Sequence, residues 1–249
     1  MNSMLSVAGH EFRRLFISPF GWVILASAQF ILAVFFYLLL SRYLESENVF
    51  AGRGLTAVVV TGMFQIAGIV MLVISPFITM RSFSDEYRNG TIKLLLSSPL
   101  SMVALVTGKF AGLMLFYFCH LILISLMPLS LSIGTSLDFG LLFSGISGML
   151  LLFTSFVAIG LFISSLSSSP ALAAINSFIL LWGLWLIHII NDTDNLHLEG
   201  LINYLSLQRH FNALLSGAFN TSDLVYYLLL TSLFIILTIW RLDALRTHK

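Results

Sequence analysis

An acidic pair, Asp85-Glu86, and two spaced histidine motifs, Phe116-x-x-x-His120 and His188-x-x-x-Asp192, are the residues here that suit water activation. Two imidazoles and a carboxylate can do that chemistry only within hydrogen-bond reach of each other, or one water away. Counted along helices at ~1.5 Å per residue, His120 lies roughly 18 Å from the start of its apolar run and His188 roughly 26 Å from the start of its own. Glu86 falls at or beyond the end of another run, so the spacing argues against a common site. A phosphate loop of the form G-x-x-x-x-G-K-[ST] also fails: Phe110 follows Gly108-Lys109, and Val103 stands where the first glycine should be. The single cysteine, Cys119, permits no intrachain disulfide. Gln29, Gln65, His120, Asn176 and His188 lie inside apolar runs, where such groups either glue helices together or line a path. Gln65 and Asn176 are the candidates for a path.

The elements that must position these residues are six apolar runs: Phe20–Leu40, Ala57–Ile78, Gly108–Ser132, Phe139–Ser165, Ala171–Ile190 and Leu224–Trp240. Each is long enough, or nearly so, to cross a hydrocarbon layer about 30 Å thick as a helix. Hydrophobic residues make up 58 % of the 249 and charged ones 9 %. A soluble domain carries about 25 % charged residues, so this composition excludes one. The expected architecture is all-α: a polytopic membrane protein with six transmembrane helices in a single permease-like domain and no separate soluble domain.

Lys and Arg divide unevenly between the two sides. Arg13, Arg14, Arg81, Arg88, Lys93, Lys109, Arg241, Arg246 and Lys249 fall on one, against Arg42, Arg53 and Arg209 on the other. The positive-inside rule then places both termini in the cytoplasm. Ala26-Ser27-Ala28 resembles a leader cleavage site, but the apolar run continues to Leu40, which predicts a retained first span.

Residues 4 to 16 predict an amphipathic interfacial helix, with Leu5, Ala8, Phe12, Leu15 and Phe16 on one face and Ser6, His10, Arg13 and Arg14 on the other. Val7 breaks the pattern. The helix serves either as a passive anchor or as a contact for a cytoplasmic partner.

The cytoplasmic segment Thr79–Gly108 carries the most information. Met80, Phe83 and Tyr87 keep helical spacing, so the second span continues to Asn89, and Gly90 supplies the left-handed residue that ends it. Thr91 caps a short helix, Ile92–Ser97, which Pro99 stops; Ser101 caps the third span. A connecting loop would need neither the paired turns nor an exposed Leu94-Leu95-Leu96. On the outer side, Asn191–Asp223 predicts two short amphipathic helices, the second ending at Gly217, as a lid or as surface packing.

The string Phe83–Pro99, FSDEYRNGTIKLLLSSP, followed by Gly108-Lys109, resembles the signature of the ABC type-2 permeases. The distal stretch Asn203–Leu230 is similar to the end of that family's gliding-motility-type and copper-processing-type branches. Lys93 departs from the pattern, which often has Glu there. The resemblance implies a transporter subunit, itself no enzyme, coupling ATP hydrolysis on a separate ATPase subunit to substrate movement. Contacts with that subunit would fall on Asp85, Glu86, Tyr87, Arg88, Gly90, Thr91, Leu94, Leu95 and Pro99. ATP and Mg would be bound by the partner and no cofactor by this chain. It further implies a prokaryotic plasma membrane, surrounding lipid, a second permease copy or a related chain, room for an outer subunit, and no nucleic acid. Two alternatives stand beside it: a mechanical anchor for an ATPase, and a CAAX-type intramembrane protease. The histidine motifs partly resemble the latter, but Gly90 stands where its arginine belongs.

Overall fold

The fold was read from a computed structural model, which describes residues 2–45, 54–97, 100–187 and 204–247. Ten α-helices follow one another among the described residues. They are α1 (Asn2–Ile17), α2 (Pro19–Glu45), α3 (Thr61–Thr79), α4 (Arg81–Arg88), α5 (Ile92–Ser97), α6 (Met102–Ser130), α7 (Phe139–Leu166), α8 (Pro170–Leu186), α9 (Leu207–Leu215) and α10 (Thr221–Thr247). A π-helical turn, Thr56–Val60, leads into α3, and a 3-10 turn, Leu131–Ile133, ends α6.

Five helices are long and apolar enough to cross a bilayer: Pro19–Glu45, Thr56–Arg88, Met102–Ile133, Phe139–Leu166 and Thr221–Arg246. The described part of the expected fifth span is α8, with 17 residues, at the lower end of the roughly 17–25 residues that cross a bilayer as a helix. The remainder of that run, residues 188–190, lies outside the described residues, as do His188, Asp192 and Pro99. Among the described residues, then, five long spans are present, with α8 in the place of the sixth.

The centre of the bundle is α7. Phe153, Phe156, Val157, Ala158, Ile159 and Leu161 are fully buried, because α3, α6, α8, α9 and α10 all pack on it. Its small residues admit bulky neighbours: a Cβ on Gly145 would lie 2.7 Å from the Phe64 ring, and one on Gly148 would lie 3.1 Å from Leu214. In lipid such close packing, with hydroxyl bonds between helices, replaces the hydrophobic drive of a soluble core. The Tyr117 hydroxyl donates to Ser75 Oγ at 2.7 Å and Thr231 to Thr154 Oγ1 at 3.1 Å.

At one end of the bundle, α9 packs against α3, α7 and α8 with Leu207, Phe211, Leu214 and Leu215 buried. Ser206 caps it and Gly217, at φ +81°, ends it. The other end gathers α1, α4, α5, the start of α6 and the end of α10. Arg14 Nη1 donates to the Arg81 carbonyl at 3.4 Å, and Arg246 Nη1 to the Leu100 carbonyl at 3.3 Å.

Candidate functional site

The helix that begins at Thr56 runs to Arg88 as a rod of 33 residues, about 50 Å long, and so outreaches a bilayer of 40–45 Å. Ser164 of α7 holds the joint between α3 and α4. The Ser164 hydroxyl donates to the Met80 carbonyl at 2.9 Å and accepts from the amides of Phe83 and Ser84 at 3.0 and 3.2 Å. The first amides of a new helix have no intrahelical partner. Here a serine from another helix supplies it.

Past Arg88 the chain turns. Asn89 closes α4, Gly90 sits at φ +71°, and α5 begins at Ile92. Side chains with a Cβ disfavour that left-handed conformation. The turn therefore falls where the sequence placed it. Thr91 differs in detail: its hydroxyl donates to the Glu86 carbonyl at 3.4 Å, so it fastens the turn back onto α4. Ser101 caps α6 as expected, accepting from Ala104 N at 3.2 Å. Within α5, Ile92 is buried, Leu95 is half-buried against the core and Leu94 is 73 % exposed. The Leu96 side chain lies outside what the structure describes. Of the expected exposed leucines, Leu94 alone is described as exposed.

The charged residues part company. Asp85 Oδ1 faces Arg88 Nη2 at 3.5 Å, with the carboxylate half-buried beneath the exposed guanidinium. Glu86 instead turns inward, with Oε1 2.8 Å from Lys109 Nζ, so it is not presented to a partner at the tip. Lys109, 2 % exposed, has three N–H bonds and three acceptors: Glu86 Oε1, the Ser82 carbonyl at 2.8 Å, and Glu11 Oε1. Its ammonium also lies 5.0 Å from the Phe83 ring centroid, within cation–π range. Glu11 Oε2 in turn pairs with Arg14 Nη2 at 2.9 Å. Two carboxylates and two cations balance, as a buried charge requires. Burial raises the Glu86 carboxyl above its usual 4.5, and the neighbouring Lys109 ammonium opposes that rise.

Glu11 was absent from the predicted faces of α1, yet it is 2 % exposed, while Leu5, assigned to the apolar face, is 63 % exposed. The buried face follows from close approach to α6. A Cβ on Gly108 would lie 2.9 Å from Val7 Cβ, and one on Gly112 would lie 2.6 Å from the Ala8 carbonyl oxygen and 2.7 Å from Glu11 Cβ. Val7, the residue that broke the pattern, is thus a contact. The signal was available: Val7, Ala8, Glu11 and Leu15 keep helical spacing, and Lys109 is a lone charge at the margin of an apolar run.

The polar residues of the spans sit apart from this cluster. Gln65 Nε2 donates to Asn212 Oδ1 at 3.3 Å, joining α3 to α9, and Gln29 Nε2 donates to the Leu123 carbonyl at 3.3 Å, joining α2 to α6. Asn176 is exposed on α8 beside Leu172, Ile175 and Ile179. His120 is buried with both ring nitrogens unpartnered. It stands 11 residues beyond Lys109 on α6, about 16 Å along the axis, whereas Glu86 is bound at Lys109. Glu86 and His120 therefore cannot share one water. No group of three or more potential metal ligands is found among the described residues.

The rod, glycine turn, short amphipathic helix and buried charge anchor form a projecting joint on a membrane bundle, which is the class of device a permease needs. The model of the ABC-2 family transporter proteins matches residues 5–244, and the chain belongs to that family. No curated protein matches it.

Proposed function

We propose that this chain is the membrane-spanning subunit of an ATP-binding cassette, exporter-like transporter, driven by a separate ATPase subunit that docks on the Arg88–Leu94 tip. The observation that carries this reading is Leu94, 73 % exposed at the end of a rod that outreaches the bilayer, in a chain of the ABC-2 family. A single exposed leucine is common on protein surfaces; this one draws its weight from its place beside the Gly90 turn, in a family that works with an ATP-binding cassette partner. The basic residues at that end of the bundle support a cytoplasmic tip and cytoplasmic termini, and the membrane of this reading is a prokaryotic plasma membrane. Closure of two ATPase subunits on ATP and Mg, which they hold, would move two permease subunits, a second copy or a related chain. Asn176, on the exposed face of α8, would then face either that chain or the path between them. Gln65, bonded to Asn212, serves packing first. An additional subunit at the outer end, and no nucleic-acid partner, belong to the same proposal.

The mechanical-anchor reading uses the same tip, and a path-lining role for Asn176 separates the two. Asn176→Leu should abolish transport while the ATPase stays bound if the chain is a conduit, and should leave function intact if it is an anchor. The separation of Glu86 from His120 counts against the protease. The test of the whole reading is gentle affinity purification from the native membrane, followed by mass spectrometry. A stoichiometric ATPase with a G-x-x-x-x-G-K-[ST] loop is the expected result, and recovery of the chain alone would overturn it.

A further inference from the structure

Five charged residues lie between Arg81 and Lys93: three cations and two carboxylates, a sum of +1. The fold does not present that sum. Glu86 is withdrawn into the Lys109 cluster with its side chain 16 % exposed, and Asp85 is 24 % exposed beneath Arg88. Arg81, Arg88 and Lys93 are exposed, the Arg88 side chain to 63 %. Between Arg88 and Lys93 the chain offers only the uncharged turn Asn89-Gly90-Thr91, and Leu94 projects next to it. By taking Glu86 inside, Lys109 leaves a cationic collar of Arg88, paired with Asp85 at 3.5 Å, and Lys93 on the turn beside the exposed Leu94, with Arg81 over the Phe20 ring at the base of α4.

We propose that the tip is read by a socket that is apolar at its floor and acidic at its rim. The proposal rests on the coupling reading above and gives its partner a surface chemistry. Leu94 would supply affinity by leaving water. Solvent-exposed ion pairs at Arg88 and Lys93 contribute little individually. They set approach, register and choice of partner instead, since like charges brought together are strongly disfavoured. An ATPase with a basic rim would be rejected. Anionic headgroups carry the same charge as the acidic rim, but a helix of 33 residues is longer than a bilayer is thick, which favours the protein socket.

The test uses the complex purified with its own ATPase subunit, comparing the parent chain with Arg88→Glu/Lys93→Glu, Arg88→Gln/Lys93→Gln and Leu94→Ser. The charge reversal should weaken ATPase retention by about tenfold or more at low salt, with the glutamine pair in between. Retention by the parent should fall as salt rises, and Leu94→Ser should weaken it at low and high salt alike. These exposed positions leave the fold intact, seen as an unchanged melting temperature and a single size-exclusion peak. Retention within twofold of the parent after charge reversal overturns the socket while the coupling reading stands. An effect seen only when anionic lipid is present assigns the collar to headgroups and overturns it too. If no ATPase accompanies the parent chain, both fall together.

Discussion

Lys109 shows how one residue can be read two ways. In the sequence it marks the edge of an apolar run and half of a Gly-Lys signature; in the fold its ammonium is saturated by Glu86, Glu11 and the Ser82 carbonyl. Removing one member of a buried ion cluster leaves the others uncompensated, at a cost of about 3–5 kcal/mol. Lys109→Met should therefore lower the thermal unfolding temperature in detergent sharply. Adding Glu11→Gln and Glu86→Gln to it should restore most of the loss. Little restoration would mean that shape, rather than charge, holds the site. Glu86 also gives a pH dependence. Its carboxyl binds a proton more readily in the folded chain than in the unfolded one, because burial disfavours the anion. By linkage, folding gains stability as pH falls through the raised folded-state value towards 4.5, and gains nothing further below that. Glu86→Gln should flatten the melting temperature across that window, and a slope unchanged by the substitution would count against it.

Among the elements, α1 changes character most. A helix lying in the interface would present its apolar face to lipid, but α1 presents Val7, Ala8 and Glu11 to the glycines of α6. That contact depends on Gly108 and Gly112 having no side chain. Gly108→Leu should push α1 away, because its Cβ alone would lie 2.9 Å from the Met4 carbonyl oxygen. A cysteine at Ala8, 5 % exposed in the parent, should then change from unreactive to reactive towards an aqueous maleimide. Continued protection would show that α1 is held from elsewhere. The second element, α4, owes its start to a hydroxyl on α7 and its end to Gly90. Its orientation is set by the bundle and its stop by the local sequence.

For the whole molecule, the two ends of the bundle differ in kind. One carries the tip, the buried ion cluster and most of the arginines. The other carries α9 and a cavity of about 760 Å³ lined by Asp138, Leu141, Phe143, Ser144, Ser216 and Phe219 among others. The charge asymmetry predicts which end faces the cytoplasm. In intact cells, a membrane-impermeant maleimide should label a cysteine at Thr135 and reach one at Asn89 only after permeabilisation. The reverse pattern would invert the topology and remove the ATPase from reach of the tip.

Much of this architecture is legible in one dimension because bilayer crossing is a local property. Twenty apolar residues in a row specify a span whatever surrounds them, and Gly90 and Ser101 terminate or cap helices by their own stereochemistry. The same local logic marked Arg81–Leu94 as a structured projection. The sequence could not say which way a side chain at its base would point, since that depends on helices distant along the chain. Glu86 and Asp85 are adjacent and alike, yet one meets Lys109 from 23 residues away and the other meets Arg88. Glu11 could be placed inside only once α6 had come within contact of α1, and Gln65 joined a packing role only when Asn212 arrived from 147 residues away. Spans, turns and caps were determined by sequence because their energies are local. The sign of the exposed tip and the partners of the polar groups were decided by tertiary structure, because burial and pairing are properties of what a residue meets.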